Sequence, residues 1–146
     1  MSDQNGREQD RMTNSKSLSV VLIDDSALVL AQLEELIEQI DGVEVVATAT
    51  DGTGAIRVVR DHTPDLAIMD IVMPQMDGLA ALRVINHNFP TTRVAMLSSV
   101  AGSASKAEEA FRLGAIQVIG KPFDARILES LFESERAWHD SKDSQD

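Results

Sequence analysis

The chain has 146 residues, of which 43% are hydrophobic and 25% charged, a composition typical of one soluble globular domain. Its formal net charge of −11 argues against nucleic acid as a direct partner, because phosphate contacts need a basic stripe. No apolar run approaches the ~20 residues that span a bilayer, no signal-peptide pattern is visible, and the absence of cysteine excludes a disulfide framework. We therefore expect a cytoplasmic domain that does not insert into membranes.

The chain begins with a polar arm and then enters a strand and a helix. Residues 1–17 lack periodic apolar positions, which predicts a disordered arm. A first buried strand over Leu18–Ile23 ends in Asp24 and Asp25, and a helical pattern starts at Ala27. Its apolar stripe has helical spacing, at Val29, Leu33, Leu36, Ile37 and Ile40.

Two further strand–helix units follow. Val43–Ala49 is the second predicted strand, and a short helix after it must stop before Pro64. The stretch Asp65–Pro74 is an apolar strand that delivers one carboxylate, Asp70, to its end. The helix after it turns three apolar residues inward, Leu79, Leu82 and Ile85.

The last two units repeat the pattern. A fourth strand over Arg93–Leu97 ends at Ser98, and a loop, Val100–Ser103, leads to a helix with Ala107, Ala110 and Phe111 on one face. A fifth strand over Ile116–Ile119 ends at Lys121. We expect the last helix to run from about Asp124 to Trp138 and residues 139–146 to form an acidic tail that frays.

Strands and helices alternate five times with short connections, which predicts an α/β domain over residues 18–138 with a parallel sheet and helices on both faces. This is a flavodoxin-like, doubly wound fold with strand order 2-1-3-4-5. Its functional crevice lies at the carboxyl ends of strands one and three.

Polar side chains follow four of the five predicted strands, and all should point into one small volume: Asp24, Asp25, Asp70, Ser98 and Lys121. Taken alone, Asp70 could instead be an ordinary helix cap or turn residue. Three carboxylates packed together repel, so the cluster should hold a proton or attract a cation. Oxygen ligands without histidine or cysteine suit Mg²⁺, or Mn²⁺, better than zinc.

The pattern resembles the receiver domain of two-component response regulators, over roughly residues 18 to 138. Each motif is common by itself, but their register on successive strand ends is specific. The positions that carry the resemblance are Asp24-Asp25, Met69-Asp70, Met73-Pro74, Asp77-Gly78, Ser98 and Lys121-Pro122-Phe123.

The resemblance implies a phosphorylation site and a metal site. Asp70 would accept a phosphoryl group from a phosphohistidine of a sensor histidine kinase. Asp25, Asp70 and the backbone carbonyl of Val72 would bind Mg²⁺ directly, and Asp24 would act through water. Lys121 would contact the phosphoryl group and precede a cis peptide bond.

The resemblance also implies a switch and a partner surface. Ser98 would swing inward on phosphorylation and alter the surface of the fourth helix, fifth strand and fifth helix, where an unknown target protein would dock. The chain would be a monomer or a phosphorylation-dependent dimer. The segments Met96–Gly102 and Leu113–Ile116 are most similar to receivers of chemotaxis methylesterases and to single-domain chemotaxis regulators, so we expect a stand-alone receiver rather than an enzyme.

Two features depart from the family pattern. The fifth-strand position that usually carries an aromatic switch residue is Val118. Val72 and Val100 stand two residues after Asp70 and Ser98, beside the expected route of hydrolytic water, so we predict slow loss of the phosphoryl group. Two alternatives stay open: a phosphate sink or relay without an effector, and a Mg²⁺-dependent phosphohydrolase. The hydrolase is disfavoured because such enzymes usually place a second acid where Val72 stands.

Overall fold

The computed structural model describes residues 17–99 and 104–144, and its elements alternate as predicted. The strands are β1 (Leu18–Ile23), β2 (Val43–Ala49), β3 (Leu66–Asp70), β4 (Arg93–Ser99) and β5 (Gln117–Lys121). The helices are α1 (Ala27–Glu38), α2 (Gly52–His62), α3 (Gly78–Asn88), α4 (Ala104–Arg112) and α5 (Ala125–Ser144). Of the described helices, none is at once long and apolar enough to cross a membrane.

The strands form one parallel sheet in the order β2-β1-β3-β4-β5, which confirms the predicted fold class and strand order. β3 lies at the centre, and all five of its residues are buried. A parallel strand covered on both faces needs apolar side chains in both directions, which explains its continuous apolar run. The carboxylate of Asp70 therefore emerges at the middle of the sheet edge.

Two hydrophobic clusters cover the two faces of the sheet. On one face α1 and α5 pack on alternate strand residues, and the helices contribute Leu30, Leu33, Ile37, Leu128, Leu131 and Phe132. On the other face α2, α3 and α4 contribute Ala55, Val58, Val59, Ala81, Leu82, Ile85 and Ala110. In β3, Ile68 belongs to the first cluster and Met69 to the second, as the two-residue period of a strand requires.

Four of the described helices begin at a polar side chain that accepts a hydrogen bond from the backbone of the first turn, among them α5, where Asp124 accepts from the N–H of Ile127 at 3.1 Å. Ser26 accepts from Val29 at the start of α1, and Asp51 and Asp77 do the same for α2 and α3. Glycine is required after Asp77, because a Cβ on Gly78 would overlap the carbonyl oxygen of Asp70.

The predicted apolar face of the fourth helix is wrong in part. Ala110 is buried, but the Phe111 side chain is 51% exposed. Residues 1–16 of the predicted arm and the predicted loop Val100–Ser103 lie outside the described residues.

The predicted end of the last helix at Trp138 is wrong, because α5 continues to Ser144. The guanidinium of Arg93, at the start of β4, makes two hydrogen bonds of 2.7 and 3.1 Å with the buried Glu135 carboxylate and lies 4.0 Å from the centre of the Trp138 ring. The Lys142 amine, one turn further along, lies 4.8 Å from the same ring. These contacts hold the extra turns, although their sequence is polar and acidic.

Candidate functional site: an acidic pocket at the carboxyl edge of the sheet

Two central strands place their acids side by side. Asp24 follows β1 directly and Asp70 is the last residue of β3, and these strands are hydrogen-bonded neighbours. Asp24, Asp25 and Asp70 each offer a carboxylate oxygen, and the three oxygens lie within 4.8 Å of one another. Asp24 and Asp70 are buried whereas Asp25 is exposed, so the acidic pocket opens to solvent on the Asp25 side.

Lys121 joins the two buried acids. Its amine donates to the Asp24 carboxylate at 2.9 Å and to the Asp70 carboxylate at 3.3 Å. The contact spans 97 positions of sequence, and it forms because β5 ends at Lys121 on the same sheet edge. Lys121 therefore neutralises part of the repulsion between two carboxylates that would otherwise be buried side by side.

Backbone amides fix the remaining carboxylate oxygens. The N–H of Ser26 donates to Asp24 at 2.9 Å, and the N–H of Val72 donates to Asp70 at 3.4 Å. Neither contact was predicted. The contact of Ser26 with Asp24 could have been predicted, because a helix starts at Ser26 and the chain must turn directly after Asp24. The contact of Val72 with Asp70 could not, because it depends on the course of the loop after β3.

The charges of the pocket shift the pKa values of two groups. Burial raises the pKa of the Asp70 carboxyl above its usual 3.8, the charge of Asp24 raises it further, and Lys121 opposes the rise without cancelling it. Burial lowers the pKa of the Lys121 amine, but its contacts with Asp24 and Asp70 outweigh burial, so its pKa lies above the usual 10.5. Lys121 therefore stays charged over the physiological range, and Asp70 is the acid whose ionised form is disfavoured.

Ser98 lies on β4 with its side chain buried, near the edge to which Asp70 and Lys121 belong. Its hydroxyl donates to the carbonyl oxygen of Ser99 at 3.2 Å. The Ser98 hydroxyl thus donates within its own strand. Lys121, by contrast, donates to Asp70.

The loop after β3 carries the residues expected to flank the pocket. The N–H of Gly78 donates to the Ile71 carbonyl at 2.7 Å, which closes the loop, and the side chain of Val72 is 54% exposed. The peptide bond between Lys121 and Pro122 is cis, as predicted. Val118 is partly buried against the cluster beneath α2, α3 and α4.

These features define a class: a doubly wound α/β domain with a lysine-bridged acidic pocket at the carboxyl edge of its sheet. Residues 20–133 match the family model of the response regulator receiver domain, and the chain belongs to that family. The predicted family is thereby confirmed.

Individual relatives agree with the family. The chain is 37% identical to the chemotaxis protein CheY of Bacillus subtilis over 113 residues, which cover 77% of this chain and 92% of that protein. It is 34% identical to a protein-glutamate methylesterase/protein-glutamine glutaminase of Myxococcus xanthus over 122 residues, 84% of this chain but only 35% of that protein. The similarity to the methylesterase thus spans about a third of its length.

A solved structure agrees as well. A chain in the crystal structure of the CheX–CheY–BeF₃–Mg²⁺ complex from Borrelia burgdorferi matches with a TM-score of 0.74 and 29% identity, over 82% of this chain and 90% of that one. The chain is therefore a response regulator receiver domain with chemotaxis proteins among its relatives.

Proposed function

We propose that this protein is a phosphoacceptor that receives a phosphoryl group on Asp70 from a sensor histidine kinase and then presents a changed surface to a target protein. The observation that carries the proposal is the bridge from the Lys121 amine to both Asp24 and Asp70, with Asp25 at the open side. A phosphoryl acceptor needs a nucleophile, and it needs positive charge where the phosphoryl oxygens will lie.

Asp70 is the nucleophile of this proposal. One of its carboxylate oxygens attacks phosphorus, the bond from phosphorus to the kinase histidine breaks, and an aspartyl phosphate remains. Attack requires the ionised carboxylate, which is the form that the pocket disfavours. The aspartyl phosphate carries more negative charge than the carboxylate, so the pocket needs the Lys121 amine and a bound cation to accommodate it.

Asp25, Asp70 and the Val72 carbonyl are proposed as direct ligands of Mg²⁺, or of Mn²⁺, with Asp24 acting through water. The donor set fits, because it consists of oxygens alone and three carboxylates lie within 4.8 Å. A bound divalent cation would offset the negative charge of the incoming phosphoryl group. The solved relative that contains Mg²⁺ and BeF₃ supports this assignment.

Lys121 and Ser98 are proposed to bind the oxygens of the phosphoryl group on Asp70. The Lys121 amine, which now pairs with two carboxylates, would exchange one of them for a phosphoryl oxygen. The Ser98 hydroxyl would leave the Ser99 carbonyl and donate to another phosphoryl oxygen. Since Val118 replaces the usual aromatic residue, the change would pass chiefly through Ser98 and the following loop to the surface of α4, β5 and α5.

The match to CheY covers 92% of that protein, which supports a phosphorylation-controlled binding module rather than an enzyme. The activity of this protein would be self-phosphorylation and slow self-dephosphorylation alone. Chemotaxis is the pathway that the relatives favour, and the cytoplasm is the compartment in which a kinase phosphohistidine would meet Asp70. We propose a monomer, or a dimer that forms on phosphorylation. A sink or relay without an effector would share the chemistry and differ in the fate of the phosphoryl group.

The test is incubation of the protein with Mg²⁺ and acetyl phosphate, followed by intact mass spectrometry. We expect one phosphoryl group per chain, its loss in Asp70→Asn, and its retention in the control Asp77→Asn, since asparagine caps a helix as well as aspartate. Modification of Asp70→Asn at full yield would refute the assignment. Sustained release of phosphate would favour the hydrolase instead.

A second test addresses the output. Pull-down with a beryllofluoride mimic should retain a partner that the untreated protein does not, and Ser98→Ala should lose this difference. A partner bound equally in both states would argue for a sink or relay.

A further inference from the structure

The loop between β3 and α3 is surrounded by methionine side chains. Among the described residues, Met69, Met73 and Met96 are buried, whereas Met76 is partly exposed and packs against the same cluster. The chain has no cysteine, so methionine thioethers are the sulfur groups that an oxidant can reach. Of the described methionines, Met76 is therefore the one open to solvent.

Met76 is also one of the anchors of this loop. Its carbonyl oxygen accepts a hydrogen bond of 3.2 Å from the N–H of Gly52, at the start of α2. Its Cβ and Cγ atoms lie 2.8 Å from the point where a Cβ on Gly52 would stand, so its side chain rests directly on the backbone of that buried glycine. The Cγ atom is bonded to the thioether sulfur, so an oxygen added to the sulfur lies next to this contact.

We propose that Met76 is an oxidation site, at which a peroxide converts the thioether to a sulfoxide and thereby displaces the loop that carries Val72. A sulfur lone pair attacks one oxygen of hydrogen peroxide, an S–O bond forms and the O–O bond breaks; the proton on the oxygen now bound to sulfur passes to the departing hydroxide, which leaves as water. The sulfur loses two electrons and the peroxide gains them. Methionine sulfoxide reductases reverse the reaction, so the site is suited to regulation.

The consequence for the pocket follows from the packing. The sulfoxide is polar, whereas Met76 packs against Gly52 and the apolar cluster, so oxidation weakens this packing and favours a side chain that is lifted from Gly52. The loop from Ile71 to Asp77 moves with it. Because this loop supplies the Val72 N–H to Asp70, the geometry of the acidic pocket loosens. This consequence, unlike the oxidation itself, rests on the proposed function.

The experiment treats the full chain with graded hydrogen peroxide and follows each methionine by peptide mass mapping. Met76 should be oxidised at least several-fold faster than Met73 and Met96, and hydrogen exchange of the loop amides should increase in step. Equal oxidation of the three, or oxidation of Met76 without faster exchange in the loop, overturns the proposal.

Mg²⁺ affinity provides the functional readout. Oxidation should raise the Mg²⁺ Kd several-fold, methionine sulfoxide reductase should restore it, and Met76→Leu should be insensitive because a leucine of similar volume has no sulfur. Met76→Leu retains Met1 and Met12, so a loss of Mg²⁺ binding that persists in this variant refutes the role of Met76. If the untreated protein binds no Mg²⁺, the proposed function fails. Mass mapping and hydrogen exchange still test the oxidation of Met76 in that case.

Discussion

Replacing Lys121 by methionine removes the cation that bridges the two buried acids and keeps most of the side-chain volume. The variant would leave Asp24, which is fully buried, and Asp70, which is 7% exposed, facing each other without a counter-charge. Removing one partner of a buried ion pair costs roughly 3–5 kcal/mol. The Lys121 side chain is itself 22% exposed, so water screens part of the interaction, and we expect about 3 kcal/mol.

Such a loss is large against a total stability of roughly 5–15 kcal/mol for a domain of this kind. Urea denaturation monitored by circular dichroism would show a lower midpoint with an unchanged slope. The matched control is Lys106→Met on α4, an exposed site, where the change should stay within about 0.5 kcal/mol.

Two further measurements identify electrostatics as the cause. The double variant Lys121→Met/Asp24→Asn should regain much of the loss, because Asp70 is then the one buried carboxylate of the pocket and the remaining Asp25 is exposed to solvent. The deficit of the single variant should also shrink as the pH falls and the carboxylates bind protons. A deficit below 0.5 kcal/mol, or one unchanged by the second substitution and by pH, would refute the reasoning.

The remaining predictions concern separate parts of the molecule. Asp70→Asn should stabilise the metal-free protein at pH 7, because the raised pKa of Asp70 makes wild-type stability fall as the pH rises above 3.8; thermal melts should show the gain shrinking toward pH 4. Val72→Asn should speed the decay of radiolabelled phosphate on Asp70, and a wild-type label lost within seconds and unaffected by the replacement would contradict this. Glu135→Ala should cost about 2–3 kcal/mol in urea denaturation, because it strands the Arg93 guanidinium. Gly78→Ala should cost roughly 1–3 kcal/mol and slow phosphorylation by acetyl phosphate, since its Cβ would press on the Asp70 carbonyl; an unchanged urea midpoint and rate would argue against it.

The sequence predicted the features that follow from local patterns. Five apolar runs, each followed by a turn or a helical stripe, determine a parallel α/β fold, and the polar residue after a run must lie at the carboxyl edge. This logic places Asp24, Asp25, Asp70 and Lys121 at one edge, and the structure brings them together there. The prediction worked because the topology of a parallel sheet determines which residues lie at its carboxyl edge, whatever the side-chain conformations.

Other features depend on long-range packing and could not be predicted. The sequence did not show that Lys121 bridges two acids rather than one, or that the Ser98 hydroxyl donates to the neighbouring carbonyl, because rotamers are set by the assembled pocket. The end of α5 was misplaced for the same reason. Helix propensity and charge predict fraying after Trp138, but Arg93 lies far away in the sequence and stacks on that ring.

The proposed switch would draw on the unbalanced charges of the acidic pocket. Burial and Asp24 disfavour the charge on Asp70, and Lys121 offsets this only in part, so the metal-free state retains unrelieved repulsion. A bound cation would relieve it, and phosphorylation would then draw Lys121 toward the new oxygens and away from at least one acid. The Ser98 hydroxyl donates to the Ser99 carbonyl oxygen at 3.2 Å, so a change of partner to a phosphoryl oxygen would have a small cost. A pocket with fully satisfied charges would resist the same chemistry, and the incomplete neutralisation around Asp70 is therefore the property on which the proposed signalling would depend.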